Sequence, residues 1–504
     1  MDYRFHIFAL NLNFFAQSDI VACCIFIYNI VLVLKMSNFY FAERLKKMND
    51  VATINWNLNL VTGTKIRKLN GGNLAPNIYN EMAGGNIRKT YKELNLAFAR
   101  LHDAPLTNPG CRLVDISHIF PLFHLDENDS RNYDFSYTDD YIKNCIEDAQ
   151  TPVFYRLGES IDHSINKYKI VPPTDVNKWI NICSNIIRHY TEGLWNGFHY
   201  NIKYWEIWNE PDCGGNKKID PNAKNLMWLG TIEQFNEFYV KTATELKKRF
   251  PHLMIGGPAH CGFDSLPNIT EDFIKYCANN HAPLDFFSYH CYSQDPYTWI
   301  QETPGKVRKL LDDYGYINTE IHLNEWHYMP ADWHRLRTDP AYKAHMNNEE
   351  MKGLDSAAYL NTVMILWQDT PLDYGAYYTC QNSAWGCSVT NSSGLTPSWY
   401  GLKAYGEIVR YPERLQANSS VKDVTVLAGK NEHGEKALLI SAFKTGSMDY
   451  KITIDSVVDP NKCEIRLLDN YHNLSLVEDA IFDGNTIIFS SQSYSACALI
   501  KIKP

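Results

Sequence analysis

Between about residue 66 and residue 400, short apolar runs alternate with segments of helical period, and this alternation limits the fold more than any other feature of the chain. The runs are "KIRKLNGGN", "LAFARLHD", "TPVFYRLG", "KYWEIWNE", "LMIGGPA", "DFFSYHCY", "IHLNEWHY" and "YGAYYTCQ". Between the third and fourth lies "VNKWINICSNIIRHY", whose Val176, Trp179, Ile180, Cys183, Ile186, Ile187 and Tyr190 recur at helix spacing. Eight strand-plus-helix units over this length predict an α/β fold, a (β/α)8 TIM barrel in preference to an open doubly wound sheet. No G-x-G-x-x-G or G-x-x-x-x-G-K motif argues for the open sheet, and "NGGNLAP" is too sparse to cradle a phosphate.

After about residue 413 the texture changes. "DVTVLAG", "EKALLISAF", "YKITID", "CEIRLLD", "NTIIFSS" and "ACALIKIK" are short strands separated by turn residues, with no helix between them. They predict a C-terminal all-β sandwich. The expected organisation is an N-terminal segment over 1–49, a catalytic barrel over 50–405 and an accessory sandwich over 406–504. "ATINWNLNL" (52–60) could add a strand to the sandwich, but its place is not fixed by sequence.

"IVACCIFIYNIVLVL" (20–34) is shorter than the ~20 apolar residues that cross a bilayer and lacks a small-residue cleavage site. Three readings compete: an anchor, an unusual signal, and sequence upstream of a start at Met36 or Met48, which is preferred. The 13 cysteines are scattered without a C-x-x-C pair, which favours free thiols in a reducing compartment. A cytoplasmic location follows, with membrane anchoring or secretion as the alternative if 20–34 acts. A formal net charge of -9 without long single-sign blocks gives no footprint for a phosphate backbone, so nucleic acid is not an expected partner. A neutral ligand fits better, and 12 Trp and 32 Tyr supply faces of the kind that stack on sugar rings, although core packing accounts for most of them. Self-association into a homo-oligomer stays open.

"KYWEIWNEPD" (203–212) ends the fourth strand on a carboxylate, and stripping water from a carboxylate is costly unless something is gained. In a barrel, groups at the C-terminal ends of strands line the active site. Glu210 closes the fourth strand, and Glu325 lies toward the end of the seventh, across the ring. Pro211 biases Glu210 away from helix and offers no backbone donor, so the strand stops there. Strict alternation sends Asn209 and Glu210 to opposite faces, so a bulge or twist is expected at this strand end.

Paired carboxylates are what glycoside hydrolysis requires: one protonates the departing oxygen, and the other attacks the anomeric carbon or activates water. Glu210, beside Trp205, Trp208 and Pro211, is expected to have a raised pKa and to serve as the acid. Glu325 stays ionised if His290 or Tyr292 of the sixth strand donates to it; these alternate on one face, which turns Cys291 outward. A lone glutamate at a strand end is usually a solvated surface group, but N-E-P flanked by tryptophans and a facing N-E-W argue together against that. His322, Glu325 and His327 have the residue types of metal ligands, yet H-x-x-E-x-H on a strand divides them between faces, so neither metal nor other cofactor is expected. His102 and Asp103 are expected to point at the same rim, a buried, hydrogen-bonded histidine being the alternative reading of His102.

With "YWEIWNEPD", "LNEWH" and "RLHD" read in this way, the chain resembles glycoside hydrolase family 39, the clan A retaining enzymes that include β-xylosidases and α-L-iduronidases. The likeness runs from about residue 66 to the C-terminus, with "NGGNLAP" and "SYHCY" adding to it. The resemblance implies Glu210 as acid/base, Glu325 as nucleophile, Asn209 on the sugar 2-hydroxyl, and His102, His290 and Tyr292 lining the subsite. Strand 8 departs from the β-xylosidase pattern: Tyr378 stands in place of a Trp, and Gln381 stands near the position of an acid. The function expected is a retaining exo-glycoside hydrolase, β-xylosidase-like, acting on a short plant-type oligosaccharide. Other family 39 specificities, an inverting enzyme with carboxyl groups about 6.5–9.5 Å apart instead of about 5–5.5 Å, and a non-catalytic carbohydrate-binding barrel are the alternatives.

Overall fold

Each of the eight apolar runs forms one strand of a closed parallel barrel. In a computed structural model that describes residues 49–76, 87–103, 112–162, 164, 166–214, 227–263, 268–381, 385–387 and 394–504, the barrel strands in ring order are Asn70–Asn73, Ala99–Leu101, Val153–Leu157, Tyr204–Ile207, Met254–His260, Phe286–Ser293, Glu320–Tyr328 and Tyr374–Tyr377. The eighth pairs back onto the first through Asn70 and Gly375. The first strand is "NGGN" because its neighbours leave no room: a Cβ on Gly71 would meet the Phe98 ring at 2.8 Å, and one on Gly72 the Cys380 sulfur at 2.6 Å. Residues 20–34 lie outside the described residues; among those described, no helix is long and apolar enough to cross a membrane. No disulfide joins the cysteines among the described residues.

Because side chains alternate along a strand, inward residues stack in layers. The lowest layer is an aromatic plug of Phe98, Phe154, Tyr204, Phe286, His322 and Tyr374, with Phe98 and Phe154 centroids 5.0 Å apart and Phe286 stacked on His322 at 4.8 Å. Two residues further along the same strands come Arg100, Arg156, Glu206, Ser288 and Asn324, all buried. The plug closes the bottom, so the polar layer opens only toward the C-terminal ends of the strands.

The remaining strands form one ten-stranded sheet in the order Asn473–Leu476, Cys463–Leu468, Ala496–Ile502, Lys436–Ala442, Val424–Lys430, Glu413–Ser419, Asp50–Lys65, Met448–Ile454, Thr486–Ser491, Ile481–Asp483. Its two wings share a core in which Trp56, Tyr450, Ile452 and Phe489 are joined by Leu438, Ile440, Ile465 and Ile500, which gives the sandwich-like unit expected. One boundary is corrected: the strand from residue 50 to 65, placed within the barrel segment 50–405 by sequence, pairs with Glu413–Ser419 through Ile54 and Ser419. The reason is its one-sided pattern. Ala52, Ile54, Trp56 and Leu58 are buried while Val51 and Asn55 are exposed, which suits an antiparallel sheet and not a barrel strand covered on both faces. The other face of this sheet packs Leu427, Leu439 and Leu499 into the core that includes barrel helices Leu354–Leu366 and Pro397–Ile408.

Candidate active site

Both glutamates enter the barrel mouth because their strands break strict alternation just before them. On the fourth strand the next inward position after Glu206 belongs to Trp208, but Trp208 takes a left-handed conformation (φ 72°) and packs outward against Trp179, Trp228 and Phe238. Gly158 makes this fit: its φ is +132°, and a Cβ there would stand 2.8 Å from the Trp208 ring. Asn209 and Glu210 (φ 46°) then both turn inward, and the Glu210 amide donates to the Ala259 carbonyl at 2.9 Å. The fourth-strand irregularity expected from sequence is therefore a pair of left-handed residues. The bulge lies on the seventh strand, where Tyr289 pairs with Leu323 and His290 with Glu325, leaving Asn324 as the extra residue. Asn324 and Glu325 both point inward as a result, and Trp326 packs outward on Trp367 at 4.7 Å.

Arg100, fully buried, organises the floor. Its Nε donates to Glu206 at 2.7 Å, Nη1 to Glu325 at 2.9 Å and to Asn73 at 3.1 Å, and Nη2 to Asn209 at 2.6 Å. Glu206 also accepts from Ser288 at 2.7 Å and from Asn324. Burial works against the Arg100 charge, but Glu206 and Glu325 outweigh it and raise its pKa. Sequence reasoning missed this network, although its signal was present: opposite charges in the middle of two strands buried on both faces, at Arg100 and Glu206.

Above this floor an oxygen of Glu210, an oxygen of Glu325 and a ring nitrogen of His290 all lie within 4.8 Å of one another. So close an approach of two carboxylates is in keeping with retaining glycosidases, whose carboxyl groups stand about 5–5.5 Å apart, more than with inverting ones, at about 6.5–9.5 Å. Tyr292 donates to Glu325 Oε2 at 2.7 Å. With Glu210 ionised, the Nδ1–H of neutral His290 donates to Glu210 Oε1 at 2.8 Å and stands 3.5 Å from Glu325 Oε2. Burial lowers the His290 pKa to about 4.

Burial, reinforced by Asp103, pushes Glu210 up to about 7. Burial raises Glu325 as well, and the charge of Glu210 adds to it; His290, Arg100 and the Tyr292 hydroxyl oppose the rise. Two donors on Glu325, one of them a guanidinium, favour its ionised form over that of Glu210. An acid is active while protonated, so the contribution of Glu210 is present below about pH 7 and lost as pH rises through that value. The kcat/KM profile for an unactivated disaccharide is expected to fall on its alkaline side with an apparent pKa near 7. Glu210→Gln should remove that limb; a limb unchanged in the variant would assign it to another group.

The structure brings the other sequence-derived candidates to this mouth. Asn209, 1% exposed, has no hydrogen-bond partner for its Nδ2 among the described residues. His102 Nε2 stands 3.4 Å from Asp103 and 3.9 Å from Glu325. Tyr378 donates to Asp103 at 3.3 Å, and Gln381 is buried, with neither amide atom hydrogen-bonded among the described residues. Trp333 and Trp385 flank Tyr292 with centroids at 5.7 and 5.8 Å. The histidines of H-x-x-E-x-H go elsewhere: His322 bonds Glu320 in the bottom layer, and His327 bonds the Tyr328 carbonyl and Tyr377.

A closed parallel barrel with two facing carboxylates over a polar floor has the geometry of a glycoside hydrolase. Residues 85–374, more than half of it, match the profile of Glycosyl hydrolases family 39. The chain belongs to that family. It is 27% identical over 241 residues to a β-xylosidase of Geobacillus stearothermophilus (44% of this chain, 43% of that protein). It is 29% identical over 194 residues to a β-xylosidase of Caldicellulosiruptor saccharolyticus (35% and 36%). The matched segment thus spans less than half the length of these curated relatives. Among solved structures, a glucosidase from Croceicoccus marinus superposes with a TM-score of 0.71 at 18% identity, covering 91% of this chain and 100% of that one, a likeness of fold.

Proposed function

We propose that this glycoside hydrolase is an exo-acting, β-xylosidase-like enzyme that releases a terminal neutral sugar from short plant-type oligosaccharides by double displacement. The observation that carries the mechanism is the approach of Glu210 and Glu325 to within 4.8 Å. Glu325 attacks the anomeric carbon while Glu210 gives its proton to the departing oxygen, leaving an ester between sugar and Glu325. Glu210, now ionised, takes a proton from water as that water attacks the same carbon and restores the Glu325 carboxylate. The Nδ2 of Asn209 donates to the sugar 2-hydroxyl. The two β-xylosidase relatives support xylose. Other family 39 specificities are the second reading, kept open by the Tyr378 and Gln381 departures on strand 8.

Nitrophenyl glycosides of xylose, glucose, arabinose, galactose and iduronic acid test the sugar. A 2-deoxy-2-fluoro glycoside of the best substrate tests the mechanism: peptide mapping is expected to find the sugar on Glu325. Label on another residue would overturn the roles given, and no turnover of any glycoside would overturn the activity.

A further inference from the structure

Arg156, in the middle of the third barrel strand, is fully buried and takes no part in the double displacement. Its Nη2 donates to Asp115 at 2.7 Å and to Ser160 at 3.2 Å, and the same Asp115 oxygen accepts from the Ser160 amide at 2.9 Å and hydroxyl at 2.7 Å. This fixes the plane of the guanidinium. Its Nε then donates to Nδ1 of His102 at 3.1 Å.

An arginine has five N–H groups and no acceptor, so Nδ1 of His102 must supply a lone pair. The ring is then neutral and carries its one proton on Nε2. That nitrogen stands 3.4 Å from Asp103 Oδ2 and 3.9 Å from Glu325 Oε1, the first a long contact and the second beyond hydrogen-bond range. The proton is therefore aimed between two carboxylates and committed to neither. The other tautomer would turn a lone pair toward both oxygens and an N–H against the guanidinium.

We propose that Arg156 is a positioning residue for substrate recognition, fixing His102 as a neutral ring whose Nε2–H is held beside Glu325 as an obligate donor to a hydroxyl oxygen of the bound sugar. The charged and titratable groups around the ring agree with this. Arg100 from its own strand, Arg156 from the third strand and Arg112 from the loop after the second add to burial in holding its pKa well below the usual range, as does His290 from the sixth strand. Asp103 and Glu325 are the acids that face it.

The donor role rests on the glycosidase reading, so the test has one readout that does not. In the full chain labelled with 15N-histidine, His102, assigned by loss of its signals in His102→Gln, is expected to show the Nε2–H tautomer unchanged from pH 5 to 8. Arg156→Met should let the ring exchange tautomers and take up a proton within that range, and should lower kcat/KM roughly ten- to hundredfold. Arg156→Lys, which keeps a donor, should recover most of the rate. A wild-type ring protonated on Nδ1, or titrating in this range, overturns the proposal. So does a folded Arg156→Met protein with unchanged nitrogen signals and rate. Should Arg156→Met fail to fold, the wild-type signals and Arg156→Lys decide. A wild-type protein inactive on all glycosides would refute the function but still report the tautomer.

Discussion

Replacing Glu325 with Gln is expected to reduce turnover of every glycoside by at least about 10³-fold, equivalent to about 4 kcal/mol of barrier. The amide is nearly isosteric and its carbonyl can still accept from Arg100 or Tyr292, which now bond the carboxylate at 2.9 and 2.7 Å. The fold should hold, with a melting temperature close to that of the parent. What is lost is the ability to bond the anomeric carbon, and no quality of leaving group substitutes for it. A dinitrophenyl glycoside, whose leaving group needs no proton, is the decisive substrate: Glu210→Gln should spare its first step, and Glu325→Gln should not. A Glu325→Gln enzyme within tenfold of the parent on this substrate would remove Glu325 from the nucleophile's place.

Arg100→Met is expected to be the most destabilising single change in the barrel, by roughly 3–5 kcal/mol. The loss comes less from the arginine's own bonds than from what it leaves behind. Glu206 and Glu325 would remain buried without their cation, and Asn73 and Asn209 would lose the donor that orients them. The measurement is the urea midpoint at pH 7. Because Arg100 also holds the Glu325 pKa down, the acidic limb of any residual activity should move to higher pH. An unchanged midpoint would mean that the buried acids had found other partners.

The barrel was legible because its strands are covered on both faces and so read as apolar runs, and the two glutamates stood out as charges where such runs end. The polar floor was less so. Arg100 and Glu206 look like single interruptions in "ARL" and "YWEIW", and only their meeting at 2.7 Å shows them to be one unit. In the sheet, Glu413–Ser419, Asn473–Leu476 and Ile481–Asp483 are polar or very short strands, held by the pairing their neighbours supply and not by any pattern of their own. The position of the bulge was also hidden: the sequence demands that Asn209 and Glu210 share a face, but left-handed residues satisfy that as well as an inserted one does.

The outward turn of Trp208 and Trp326 has a consequence for redesign. Glu210 sits where it does because the Trp208 indole is lodged against Trp179 and Phe238, and Glu325 because of the bulge at Asn324, so changes at Trp179 or Phe238 are expected to shift the distance between the acids. Libraries aimed at new sugars therefore belong at the rim, around Trp333, Tyr378 and Trp385, with those distant aromatic seats left untouched.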